Sequence, residues 1–96
     1  MLRITVQENQ NQVTIKLEGS LAGAWVMELE EVWRATRTTV VGRTVCIDLA
    51  AVSNVDRAGT YLLVLLRDRG ARLIASGLVM TGIADMLREW PLARES

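Results

Sequence analysis

Apolar and polar residues alternate twice near the start of the chain, first in Leu2-Arg3-Ile4-Thr5-Val6 and again in Val13-Thr14-Ile15-Lys16-Leu17. A period of two sends successive side chains to opposite faces of a strand, and the polar tract from Gln7 to Gln12 between the two segments predicts a hairpin. Gly19-Ser20 then breaks the alternation. Ser20 reads as a helix N-cap, and Leu21, Trp25, Leu29 and Val32 fall on one face at helical spacing, so a first helix is predicted to about Thr36. Glu30 and Arg34 stand four apart on its outer face in the favourable order, a pair worth about 0.2–0.5 kcal/mol.

The run Thr44 to Leu49, TVCIDL, is short and β-branched and lies between Gly42-Arg43 and Ala50-Ala51, which suits a buried strand. A second helix is predicted from about Arg57 to Arg69, stopped by Gly70, and Ala71 to Ala75 reads as another short buried strand. A last helix is expected at about Thr81 to Glu89, before Pro91, with a loose tail after it. The order β-β-α-β-α-β-α predicts an α/β fold: a four-stranded mixed sheet with about three helices, right-handed crossovers, and the first strand antiparallel at or near an edge. Val13, Ile15, Leu17, Val45, Ile47, Leu73 and Ile74 are its expected buried side chains.

A chain of 96 residues buries only about 60–65% of its unfolded surface, so it is read as one domain with a core over about 2–90. Its 11 basic and 11 acidic side chains cancel, and no net field gathers nucleic acid or anionic lipid. With no His and a single Cys, the chain has no intrachain disulfide, no His-based zinc site and no His general base. No metal and no cofactor are expected. The first residues lack the apolar core of a signal peptide, and no apolar run approaches the roughly 18 residues of a membrane span, so the expectation is a cytoplasmic protein without direct membrane insertion.

Three features invite a chemical reading. VVGRT ends like a phosphate loop, but it lacks the Lys after its Gly and carries Arg37 where the earlier Gly belongs. Asp48 and Asp56 both fall near the end of the third strand, where parallel sheets place ligand sites; they are either a carboxylate pair or structural, Asp56 capping the second helix and Asp48 tying down the loop before it. Cys46 lies within an apolar strand and reads as a small buried hydrophobe. The missing partners of common catalysts make a catalytic role the weaker reading, and no catalytic residue is assigned.

The run VCIDLAAVSNVDRAGTYLLVLLRDRGARLIASG, with Gly19 after the second strand, Asp48-Leu49, the Asp56-x-x-Gly59 corner and the Gly70-Ala71-Arg72-Leu73 turn, resembles the STAS domain of anti-sigma factor antagonists and sulfate-transporter tails. The resemblance spans Val13 to about Leu87. It implies a non-enzymatic module that binds another protein, an anti-sigma factor or kinase, through the loop and helix after the third strand, in bacterial regulation. In phospho-switched members the residue just before the corner Gly is a hydroxyl residue that takes phosphate. Here it is Ala58, preceded by Arg57, so the resemblance implies constitutive docking; Thr60 and Ser53 are the nearest alternative acceptors. The same corner also resembles small STAS subunits of bacterial phospholipid ABC transporters, which makes a transporter ATPase the alternative partner, although those subunits usually carry Thr where Arg57 stands.

A helical wheel of the second helix turns Ala58, Leu62 and Leu65 towards the sheet, flanked by Tyr61 and Leu66, and turns Thr60 and Arg67 away. Leu63 and Val64 then fall beside the outward stripe. They are either partly covered by a neighbouring loop or, rimmed by Arg57, Thr60 and Arg67, the centre of a face that binds the partner or a second copy of the chain.

Overall fold

The computed structural model describes residues 1–39, 42–75, 77, 81 and 82. Strand β1 (Leu2–Glu8) and strand β2 (Gln12–Leu21) form the expected hairpin. Its turn is closed by Asn9, whose side-chain oxygen accepts the N–H groups of Asn11 and Gln12, both at 2.8 Å, while its own N–H donates to the Gln12 carbonyl at 2.9 Å. A short amide next to the backbone performs this closure well. Helix α1 (Ala24–Thr39), strand β3 (Thr44–Val55), helix α2 (Arg57–Asp68) and strand β4 (Arg72–Ala75) follow.

The sheet is four-stranded and mixed, in the order β1-β2-β3-β4, with β1 antiparallel at one edge and the other pairings parallel. In register, Ile4 faces Leu17, Ile15 faces Ile47, and Ile47 faces Leu73. The two parallel crossovers step across the sheet in one direction, so crossovers of the same hand lay both helices on one face, where α1 touches α2. Ile15, Leu17, Ile47 and Leu49 are sealed beneath them together with Leu29 and Trp33 of α1. The opposite face is polar, with Thr5, Lys16, Asp48 and Ile74 in one row across the strands and Gln7, Thr14, Cys46 and Arg72 in the next.

Several boundaries differ from the sequence expectation. Residues 18–21 continue β2 rather than opening a helix, because Gly19 adopts φ +107° and the pairing with β3 slips by a residue on either side of it. Ser20 is therefore a strand residue and no cap, and Leu21 is a fully buried strand side chain. Helix α1 starts later, and its inward side carries Leu29, Trp33 and Thr36, while Trp25 is 37% exposed. Strand β3 runs six residues beyond Leu49, through a bulge at which the Asp48 carboxylate accepts the Ala50 N–H at 3.0 Å. Ile74, expected inside, lies on the polar face and is half exposed. Cys46 is buried as expected, but its in-register neighbours are Thr14 and Arg72 rather than the core residues.

Helix α2 ends as Gly70 predicts: at φ +102° that glycine sends its N–H to the Arg67 carbonyl at 3.0 Å, and Ala71 sends its own to Leu66 at 3.0 Å. The Glu30–Arg34 pair forms at 2.9 Å on the outer side of α1. Thr81 and Gly82 are helical, and the rest of the predicted last helix and the tail lie outside the described residues.

Candidate functional site

The corner singled out in the sequence is where β3 hands over to α2. Asp56 holds extended backbone angles and caps the helix, one carboxylate oxygen accepting the Gly59 N–H at 2.7 Å. Its second oxygen reaches back 33 residues to the Gly23 N–H, at 3.0 Å, in the turn that opens α1. The Asp56 N–H donates to the Leu21 carbonyl at 3.2 Å, and the Thr60 N–H and hydroxyl both donate to the Asp56 carbonyl, at 2.9 and 3.0 Å. The Gly23 and Gly59 N–H groups favour the charged form and hold the Asp56 carboxyl below the ordinary range, against an opposing effect of burial.

Close approach makes this geometry depend on Gly59. A Cβ there would stand 2.6 Å from the Leu21 carbonyl oxygen and 2.9 Å from Cγ1 of Val55. Both are inside van der Waals contact, so only glycine lets the first turn of α2 seat against the end of β2. Beside it, Asn54 donates from its side chain to the Ser20 hydroxyl at 3.1 Å. The ends of β2 and β3 and the entrances of both helices thus converge on one carboxylate.

The docking face predicted on α2 is corrected by the burial of its residues. Leu63 is fully buried, Val64 is 2% exposed, and Thr60 is buried with its hydroxyl engaged, so these three residues are not on an open face. Of the five residues assigned to partner binding, Arg57 and Arg67 are exposed, and Arg67 lies 3.8 Å from the Asp68 carboxylate. Ala58 is exposed rather than turned to the sheet, Tyr61 is 43% exposed, and Leu65 is half-buried. The outward stripe of α2 is therefore centred on Arg57, Ala58, Tyr61 and Asp68 with the edge of Leu65, about a third of a turn from the predicted one, and Arg67 alone of the predicted stripe's centre stays exposed. The buried arc is wide because α2 packs on the sheet and on α1 at once.

The carboxylate pair does not form. Asp48 lies within β3 on the polar face, opposite Lys16, and Asp56 follows the end of the strand; at about 3.3 Å per residue the intervening strand holds them roughly 20 Å apart or more. Each carboxylate instead serves a backbone N–H, Asp48 at the bulge and Asp56 at the cap. Among the described residues, no group of three His, Cys, Asp or Glu side chains comes together, and no helix is long and apolar enough to cross a membrane. Ser53 is exposed, whereas Thr60 is not an open hydroxyl. Sequence reasoning missed Leu21 and Gly23; the Ala22-Gly23 pair was the available turn signal, hidden by reading Ser20 as the cap.

No family model and no curated protein sequence matches this chain. Among solved structures it is similar to a crystal structure of Mglu, with a TM-score of 0.59 and 24% identity over 75% of this chain, and to one of Mglu in its native form, with a TM-score of 0.54 and 19% identity over 74%. The chain spans about a fifth of each of those proteins, 19% and 22% of their lengths. At these identities the likeness is one of fold alone.

Proposed function

We propose that this chain is a non-enzymatic, STAS-like docking module of the bacterial cytoplasm that engages a partner protein through the corner at Arg57 and Ala58, without a phosphate switch at that corner. The observation that carries this reading is Arg57. It is the first residue of α2 and is exposed, and the first turn holds no acidic side chain. A cation at a helix N-terminus opposes the helix dipole, typically at a cost of about 0.3–1 kcal/mol, so stability does not account for it. An acidic surface on a partner does. The adjoining exposed Ala58 offers no hydroxyl, which fits a surface whose charge is fixed rather than switched.

The test is capture of partners from an extract of the source cell by the wild-type protein and by Arg57→Glu. The variant is expected to be slightly more stable to urea and to lose the captured protein. An anti-sigma factor or kinase in the wild-type capture supports the reading, and a transporter ATPase supports the alternative of an accessory subunit. Equal capture by both proteins overturns a role for the corner. In the same extract, a kinase that modifies Ala58→Ser but leaves the wild-type corner unmodified would identify the missing hydroxyl as the reason the switch is absent.

A further inference from the structure

An N-cap needs one oxygen and serves one helix. Asp56 uses two oxygens and serves two, with Gly59 at 2.7 Å on the α2 side and Gly23 at 3.0 Å on the α1 side. A carboxylate is a rigid planar group, so a rotation that improves one of these bonds degrades the other. The group is also fixed from behind, because the Asp56 N–H is bonded to Leu21, the residue that ends β2 just before the α1 turn. Gly23, at φ +61°, opens that turn, and its carbonyl accepts the Val26 N–H at 3.1 Å as α1 begins. Displacing the carboxylate at one helix therefore releases the first backbone donor at the other.

We propose that Asp56 is a clasp that couples the exposed α2 corner to the entrance of α1, so that a charge or a partner placed at Ala58 is felt at Gly23. Ala58 is exposed and stands between Arg57 and Gly59, two residues from the carboxylate. A negative group there repels Asp56 and competes for the same helix N–H groups. The coupling runs through one side chain and needs no rearrangement of the sheet. It rests on the hydrogen-bond geometry and stands whether or not the corner binds a protein.

The experiment reads backbone amide resonances and hydrogen exchange in four full-length proteins: wild type, Ala58→Asp, Asp56→Ser and the double variant. Serine retains an oxygen for Gly59 but has only one, so it cannot also hold Gly23. Ala58→Asp is expected to shift the Gly23 amide and speed its exchange about tenfold or more, as befits a lost hydrogen bond to a charged acceptor. In the Asp56→Ser background, Gly23 no longer responds to the change at Ala58, and the Ile15 and Ile47 amides stay protected throughout. The proposal is overturned if Gly23 ignores Ala58→Asp while Asp56 is present, or responds equally after Asp56 has been replaced. Should Asp56→Ser lose core protection, Asp56→Asn gives the same reading, because its amide nitrogen cannot accept from Gly23.

Discussion

Replacing Gly59 with alanine sets two opposed effects against each other, and the geometry decides the sign. Gly59 lies inside α2, where alanine is intrinsically favoured over glycine by about 0.5–1 kcal/mol. The new methyl group would sit 2.6 Å from the Leu21 carbonyl oxygen, 2.9 Å from Cγ1 of Val55 and 3.1 Å from Cγ of Leu21. A rotamer change relieves the side-chain contacts, but the carbonyl is backbone and moves only with the strand. That oxygen already accepts the Asp56 N–H at 3.2 Å, near the long limit of a good bond, so moving it away sacrifices the bond. Overpacking of this kind costs about 1–3 kcal/mol and the lost bond about 0.5–1.5 kcal/mol. Subtracting the helix gain leaves a net destabilisation of about 0.5–4 kcal/mol, centred on about 2 kcal/mol. Urea unfolding followed by tryptophan fluorescence, with Trp33 buried in the native state, should show a midpoint lower by roughly 1 M, for a slope of about 1–3 kcal/mol per molar. A Gly59→Ala protein as stable as wild type, or more so, would refute the close approach and the seating of α2 on β2.

The remaining expectations use the same core and corner. Ile47→Ala removes a fully buried side chain at the centre of the sheet and should cost about 2–5 kcal/mol, read from the same urea midpoint. Leu63→Asp, which would be tolerated if Leu63 faced solvent, should instead abolish the folded circular-dichroism spectrum, because it buries a charge with no partner; an unchanged melting temperature would contradict the observed packing. Asp56 has its carboxyl pKa lowered by folding, so its contribution to stability is present above the unfolded value near 4 and is lost as the pH falls through the folded value. Wild type should accordingly lose more stability than Asp56→Asn between about pH 5 and pH 2, and parallel acid limbs for the two proteins would argue against the lowered pKa.

Those elements whose pattern is local were legible in the sequence. The hairpin, the Gly70 stop, the antiparallel edge strand and the Glu30–Arg34 pair each depend on residues a few positions apart, and all stand where periodicity and turn chemistry place them. Less legible were features that depend on a distant partner. Gly19 breaks the alternation of β2, yet the strand continues past it because pairing with β3 absorbs the slip. Ala50-Ala51 flanks the strand expected at Thr44 to Leu49, yet the Asp48 carboxylate holds the bulge and β3 runs on. A helical wheel assumes one buried side, whereas α2 is covered on two, and its inward phase moved from Ala58 and Leu65 towards Leu63 and Val64. The cap is one of two readings of Asp56, from its place before α2, but nothing near it in the sequence indicates that its second oxygen is bonded to Gly23.

The strand order also carries an expectation for the order of events in folding. The β1–β2 turn closes over three residues, Asn9 to Asn11, on the microsecond scale of a hairpin, whereas β2 and β3 pair in parallel only after the chain between them has completed a crossover through α1. The Asp56–Gly23 bond joins residues 33 apart at the far end of that ladder, and is expected to form once the ladder has zipped to its last rungs. Interactions made after the barrier slow unfolding and leave the folding rate nearly untouched. The expectation is that the parallel β2–β3 pairing limits how soon the fold is made, and that loss of the corner bond, as in Asp56→Asn, speeds unfolding while leaving refolding nearly unchanged.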